Sequence, residues 1–271
     1  MRSRVWAALL MPAILLMGCI GGTLQGFLPP VYEYTSLLVP NADGDAAYAV
    51  NADGSITFDE EGLRITVRNL SDNELNERYS DVSYQDRFSA NPFTYGNWRD
   101  PSLGYTPSRF TVFEVEVFNP VLPKVELPPN GVVLRTGQGE YLQFFGINRE
   151  DSENSLEDYY TLTRGPGGNE QYRFDQRMGI IREELYRGDQ QVFKGDDYSG
   201  FIVFESLHPD VTTIELLVTD LALQFDESNN PSKTTDLTFR FDRRIDKRRL
   251  EGEEERAARQ RTWVLPATAQ R

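Results

Sequence analysis

Strict alternation of apolar and polar residues is the feature that most constrains the fold of this 271-residue chain. It is clearest in SITFDEEGLRITVRNL, where Ile56 and Phe58 alternate with polar neighbours and Leu63 and Ile65 resume the pattern after a turn. A period of two places all the apolar side chains on one side of a strand. The segment therefore predicts a β-hairpin with one buried face.

Seven further segments share this pattern of β-branched and aromatic residues bounded by Gly, Pro, Asn or Asp, which is typical of strands. They are VYEYTSLLV, RFTVFEVEVF, GVVLRT, EYLQFFG, SGFIVFESL, TIELLVTDLALQF and DLTFRFDRR. The chain has a single cysteine, so no internal disulfide stabilises it. We therefore expect a mainly β, antiparallel sandwich held together by its apolar core.

Short helical insertions interrupt the strands. Ser71 and Glu74 have the spacing of a capping box, which predicts a short helix ending near Tyr79. SENSLEDYYTL and DQRMGIIREELYR are also predicted to be helical, because Met178 and Ile181 of the second segment fall on one helix face.

The segment from Phe110 to Arg243 resembles the poorly characterised immunoglobulin-like domains of many bacterial lipoproteins. The matching stretches are FTVFEVEVFNP, GVVLRTGQGEYL, GFIVFE, IELLVTDLALQF and DLTFRF. The resemblance implies that these are successive strands of a two-sheet, immunoglobulin-like sandwich, and it implies no activity. The segment before Phe110 and the helical insert from Ser152 to Arg187 depart from that pattern.

The N-terminus has the three parts of an export signal. Arg2 and Arg4 precede an uncharged apolar run that is too short to span a membrane, and residues 1–18 are therefore predicted to be a signal peptide. The sequence LMGC, ending at Cys19, resembles the lipobox of bacterial lipoproteins. That resemblance implies that Cys19 becomes the first mature residue and carries acyl chains such as palmitate; the alternative is an ordinary cleaved or buried cysteine.

The lipobox also implies a place in the cell. Ile20 is not the Asp that commonly retains such proteins in the inner membrane, so the outer membrane is favoured in a Gram-negative host, with the domain facing the periplasm or the surface. Residues 19–30 are rich in Gly and predict a flexible tether. Residues 31–245 are expected to form one decorated sandwich domain, followed by a charged tail at 246–271.

Charge limits the classes of partner. The chain has a net charge of −14, whereas nucleic-acid binding requires a basic surface, so nucleic acid is not an expected partner. The tail, dense in charges of both signs, predicts a solvated helix. The alternative is a basic patch that includes Arg243, Lys247 and Trp263 and contacts anionic lipid or polymer.

Two Asn-Ala-Asp-Gly repeats raise the question of a calcium site. Asp43, Asp45 and Asp53 supply carboxylates, but neither repeat fits the spacing of an EF-hand loop. Asp-Gly is a strong turn signal, and the repeats therefore predict two turns around the short strand AAYAV. A non-EF-hand calcium site at these three residues is the weaker alternative; no other metal or cofactor is expected.

An aromatic loop, NPFTYGNWRDPSLGYTP, is the candidate ligand-contact surface, because loops often carry function and exposed aromatic rings bind sugars or peptides. Its contact residues would be Phe93, Tyr95, Trp98 and Tyr105. The alternative is that the loop buries these rings to fix itself to the domain, as Ω-loops do.

Signals of catalysis are absent from the sequence. His208 is the single histidine and precedes Pro209, which predicts a turn and leaves no multi-histidine zinc site. No GxSxG, Walker or HExxH motif occurs. We therefore expect a non-enzymatic binding or assembly module for an envelope protein or glycan; the alternatives are an envelope hydrolase with a carboxylate pair near the aromatic loop and a purely structural accessory.

Overall fold

The computed structural model describes residues 29–60, 62–84, 89–165 and 167–261. The chain divides into two compact units, residues 1–30 and 31–271, which are treated separately. Of the first unit only Pro29 and Pro30 are described, so the predicted signal peptide, Cys19 and most of the tether lie outside the described residues. None of the described helices is long and apolar enough to cross a membrane.

Two five-stranded antiparallel sheets form the second unit. The order in the first sheet is β1 (Tyr32–Asn41), β12 (Pro231–Arg249), β11 (Thr213–Phe225), β7 (Val132–Thr136) and β8 (Tyr141–Gln143). The order in the second sheet is β10 (Asp197–Glu205), β5 (Phe110–Phe118), β4 (Leu63–Leu70), β3 (Ser55–Glu60) and β2 (Tyr48–Val50). A small separate pair joins β6 (Lys124–Val125) to β9 (Val192–Phe193).

The two large sheets bury a common apolar core between them. The ring of Phe113 on β5 lies 5.3 Å from that of Phe241 on β12, and Tyr48 on β2 lies 5.5 Å from Phe239 on β12. The mainly β, antiparallel two-sheet prediction is confirmed, as is the hairpin of β3 and β4. The segment before Phe110, which departs from the immunoglobulin-like pattern, supplies β1 to the first sheet and β2, β3 and β4 to the second.

Four helices occur in the described part of the chain, with a 3-10 turn at Pro129–Gly131. They are α1 (Asp72–Arg78), α2 (Leu156–Thr163), α3 (Gly168–Glu184) and α4 (Gly252–Arg261). The capping box at α1 is confirmed, since the amide of Glu74 donates to the Ser71 hydroxyl and the Glu74 carboxylate accepts from the Ser71 amide. Helix α3 begins seven residues earlier than its predicted segment.

A second apolar cluster lies on the outer face of the second sheet, under α1, α2 and α3. Phe110 and Val112 of β5 and Phe201 and Val203 of β10 point into it, while the alternate residues of the same strands point into the core between the sheets. The first half of β5 and the second half of β10 are therefore buried on both faces.

Strand β12 continues beyond the sheet. Residues 243–249 of this strand pair with β1 and not with β11, which ends its pairing at Asp242. This two-stranded ribbon runs past residue 245, the predicted end of the domain, because Tyr32–Leu38 of β1 provides a complete partner for it. Residues 246–249 of the predicted tail therefore belong to β12, and helix α4 forms most of the rest of its described part.

Candidate functional site

A cavity of about 340 Å³ opens between the ribbon, the start of α1 and the loop that leads to β5. We call it the α1 cleft. Its walls include residues Tyr32, Tyr34, Ser36, Asn69, Asp72, Asn73, Asn76, Arg99, Tyr105, Ser108, Thr111 and Arg243. The volume lies at the lower end of the range for small-ligand pockets, and the lining is mainly hydroxyl, amide and guanidinium groups rather than apolar side chains.

Asp72 is the most unusual group in the α1 cleft. It is the first residue of α1, where the partial positive charge of a helix N-terminus favours an ionised carboxyl. Burial nevertheless dominates and raises the pKa of Asp72 from 3.8 to about 6, against the opposing effects of a hydrogen bond from Ser108 and the positive charge of Arg109. Asp72 therefore changes charge close to neutral pH.

The pKa of every other described Asp or Glu for which a shift is resolved is lowered. These groups are Asp53, Asp100, Asp158, Asp189, Glu215 and Asp226, each lowered by hydrogen bonds from neighbouring side chains or backbone amides. Asp72 is thus the one described carboxyl with a raised pKa, a property that often marks functional sites.

Two guanidinium groups line the α1 cleft without a carboxylate partner among the described residues. Arg243 binds neutral oxygens: its Nε donates to Ser36 Oγ at 2.8 Å, and its Nη1 donates to the carbonyl oxygen of His208 at 2.6 Å. Arg99 donates to the carbonyl oxygen of Ala258 at 3.2 Å, and partial burial and the charge of Arg259 lower its pKa. Both charges remain uncompensated on the cleft wall.

The aromatic loop packs against the domain, which agrees with the alternative reading of the sequence. Phe93 is fully buried, with its ring 5.3 Å from that of Phe201, so it is a core residue and not a ligand contact. Tyr95 is half-buried, and its ring centre lies 4.2 Å from the guanidinium carbon of Arg109. Trp98 is half-buried at 5.3 Å from Tyr95.

A glycine explains how tightly this loop is held. Gly96 has φ of +60°, and a Cβ at this position would lie 2.2 Å from the carbonyl oxygen of Ser83. No side chain fits there, because both the left-handed backbone and the close approach exclude one. The loop is therefore a fixed wall of the α1 cleft.

Of the four predicted contact residues, only Tyr105 lines the α1 cleft. Its ring stacks on Tyr34 with a centroid distance of 4.4 Å, and the Lys247 ammonium lies 4.8 Å from its centre. These neighbours occupy the ring faces, so Tyr105 fixes the ribbon to the loop and offers its edge to the cleft.

The predicted calcium residues have separate partners. Asp43 pairs with Arg240 at 3.3 Å, Asp45 accepts the amide of Ala47, and Asp53 accepts from Ser55. No group of three or more His, Cys, Asp or Glu side chains is placed to hold a metal ion in the ranges that the structure covers. The Asp-Gly segments form the turns on either side of β2, as the turn chemistry predicts.

The alternative basic patch is ion-paired at Arg248 but not at Arg243 among the described residues. Arg248 binds both Glu33 at 2.8 Å and Glu254 at 2.7 Å, and Lys247 lies over the ring of Tyr32. Trp263 lies outside the described residues.

A larger cavity of about 730 Å³, the α3 cleft, lies between the C-terminal end of α3 and the loop after β8. Its floor is apolar and includes Phe144 and Leu185. On its rim Arg187 pairs with Asp189 at 3.0 Å, so these charges neutralise each other. Arg182 also lines the α3 cleft without a carboxylate partner among the described residues, but this cleft, unlike the α1 cleft, holds no carboxyl with a raised pKa.

Sequence reasoning missed Asp72, Arg99 and Arg109 as candidate site residues. Asp72 stands inside the capping box, where its position predicts a helix start and nothing more. Burial in the folded chain raises its pKa, and the groups that oppose this shift, Ser108 and Arg109, are distant in sequence. No local pattern reveals such a contact.

A search of protein-family models finds no match to this chain. No curated protein is similar to it. The crystal structure of the yjhA protein from Bacillus subtilis is similar with 12% sequence identity and a TM-score of 0.33, covering 67% of this chain and 93% of that chain. A likeness at this score carries no argument about the site, and the β-sheet assignment rests on the strands described above.

Proposed function

We propose that this chain is a lipid-anchored protein of the bacterial cell envelope whose immunoglobulin-like sandwich binds another envelope component, a glycan or a protein, in the α1 cleft. The observation that carries the proposal is the cleft itself: a carboxyl with a raised pKa, Asp72, lies in one cavity with the unpaired guanidinium groups of Arg99 and Arg243. Polar groups left in this state within a cavity are typical of ligand sites.

The arrangement favours binding over hydrolysis. A glycosidase requires two carboxyl groups flanking the substrate. The other carboxylate on the wall of the α1 cleft is Glu33, which is exposed and paired with Arg248. Asp72 therefore has no partner suited to that chemistry in the cleft, and we propose a module without enzymatic activity.

The anchor part of the proposal depends on Cys19 and on the LMGC motif that precedes the tether. Acylation at Cys19 would hold the domain at the membrane, since two or more acyl chains give stable attachment. Replacing Cys19 by Ser should abolish palmitate labelling and leave any remaining attachment to the envelope dependent on the α1 cleft. Labelling that persists in the variant would contradict the lipobox assignment.

The binding part is tested by blocking the cleft. Asn73 is exposed, is the second residue of α1 and lines the α1 cleft, whereas Asn169 is exposed, is the second residue of α3 and lies outside both clefts. We expect Asn73→Trp to prevent the full-length Cys19→Ser chain from co-sedimenting with isolated envelopes. The matched Asn169→Trp variant should sediment as before; equal sedimentation of the two variants would contradict a role for the cleft.

A further inference from the structure

We propose that the α1 cleft takes an anionic saccharide, whose carboxylate or phosphate group binds Arg99 and Arg243, and that protonation of Asp72 strengthens this binding. The inference rests on the proposed function and specifies its ligand.

The cationic wall is the first argument. Two other arginines of β12 are matched by carboxylates: Arg240 pairs with Glu215 at 3.2 Å, and Arg248 pairs with Glu33 at 2.8 Å. Arg243, on the same strand, has only neutral oxygens as partners. A guanidinium in this state suits an oxyanion, with which it forms charge-assisted hydrogen bonds.

Arg99 supplies a second, independent cation. It belongs to the fixed loop, while Arg243 belongs to the ribbon, so the two guanidinium groups reach the cleft from different elements. Partial burial and the charge of Arg259 lower the pKa of Arg99, which shows that its positive charge lacks compensation where it lies. A bound anion would provide that compensation.

The neutral lining indicates the rest of the ligand. Between the two arginines and Asp72 the walls carry hydroxyl and amide groups, which include Thr35, Asn73 and Thr111. No hydrogen bond within the described chain engages the side chains of these three residues. Such groups hydrogen-bond to sugar hydroxyls, and the cavity of about 340 Å³ suits a short saccharide rather than a folded protein surface.

Asp72 links this binding to pH. Arg109 and Ser108 face its carboxyl from the residues before β5, and Glu33, Arg99 and Arg243 are the charged groups on the other cleft walls. With a pKa of about 6, Asp72 is mostly neutral at pH 5 and mostly ionised at pH 7.5. The ionised form repels an anionic ligand, so the affinity should rise as the pH falls through this range.

The test is calorimetric titration of the full chain, kept in neutral detergent, with three probes: glucuronate, glucose 1-phosphate and glucose. We expect one or both anions to bind and glucose to bind at least about tenfold more weakly, the loss expected when a charge-assisted hydrogen bond is removed. Glucuronate is the probe for pH, because its carboxylate stays ionised at both values, and its affinity should be about tenfold higher at pH 5 than at pH 7.5.

Three variants identify the groups. Arg99→Gln should weaken anion binding about tenfold or more. Arg244→Gln removes the same charge from an exposed ribbon residue that does not line the cleft, and should change the affinity less than about twofold. Asp72→Asn should give the pH 5 affinity at both pH values.

If glucose binds as tightly as the anions, or if Arg99→Gln leaves the affinity for the anions unchanged, the ligand is not an anionic saccharide bound by Arg99. A pH dependence that persists in Asp72→Asn would overturn the role of Asp72. These failures are separate from failure of the proposed function, because the Asn73→Trp comparison reports whether the cleft binds an envelope component of any chemistry.

Discussion

The two faces of the second sheet are buried in different ways. Its inner face packs against the first sheet with apolar side chains such as Phe113 and Ile202. Its outer face is covered by helices and by the fixed loop, and the buried groups there include Arg109 and Arg177. The α1 cleft borders the outer face.

The contrast shows where this fold accepts polar burial. Arg109 donates to the hydroxyl of Tyr160 at 3.0 Å, and Arg177 donates to the carbonyl oxygen of Ser89 at 2.6 Å, so each buried guanidinium is held by neutral oxygens and aromatic rings. The inner face provides stability through apolar packing, whereas the outer face also positions charged groups. This division agrees with the proposed binding site on the outer side.

The largest expected effect is on the inner face. Phe113 is fully buried, with its ring 5.3 Å from that of Phe241, and Phe113→Ala should lower the free energy of unfolding by about 3–5 kcal/mol. Phe193→Ala, at a half-exposed ring, should cost less than about 1 kcal/mol. Urea denaturation measures both, and similar losses at the two positions would contradict the described core.

On the outer face, we expect stability to depend more on the length of the Arg177 side chain than on its charge. Arg177→Ala should cost about 2–4 kcal/mol, since it removes packing and the hydrogen bonds to Ser89. Arg177→Met keeps an apolar stem against Tyr160 and should recover about half of that loss. If Arg177→Met is as destabilising as Arg177→Ala, the positive charge itself contributes to stability, which would contradict this expectation.

Asp72 should lower stability at neutral pH. Because folding raises its pKa from 3.8 to about 6, the folded state holds the proton more tightly than the unfolded state, and stability is lost as the pH rises through this interval. Asp72→Asn should therefore stabilise the protein by about 1–2 kcal/mol above pH 6 and by little below pH 4. Melting curves at pH 4 and pH 7.5 measure the difference; a variant less stable at both values would contradict the raised pKa.

The smallest effect concerns the start of α1, which holds Asp72 in place. Ser71→Ala removes the cap of this helix and should cost about 1 kcal/mol. Ser155→Ala removes the corresponding cap of α2, remote from the α1 cleft, and should cost a similar amount. If the cleft depends on α1, only Ser71→Ala should also weaken binding, as measured by co-sedimentation with isolated envelopes.

Much of the fold could be predicted because its signals are local. Alternation around Ile56 and Ile65 predicts the hairpin, and the spacing of Ser71 and Glu74 predicts the capping box. The consecutive apolar residues in FIVF also carry information that alternation alone does not, since they indicate a strand buried on both faces.

The site could not be predicted, because it depends on distant partners. Phe93 is buried against Phe201, and burial in the folded chain raises the pKa of Asp72; no spacing in the sequence reveals either environment. The pairing of β1 with residues 243–249 likewise joins the two ends of the domain and forms one wall of the α1 cleft.

The central claim is that the α1 cleft, and not the larger α3 cleft, is the ligand site. Hydrogen exchange of the full chain, measured with and without isolated envelope fragments, tests it most directly. We predict slower exchange in residues 32–36, 69–76 and 96–108, with residues 182–189 unchanged. Protection confined to residues 144–151 and 182–189 would place the ligand in the α3 cleft and contradict the account.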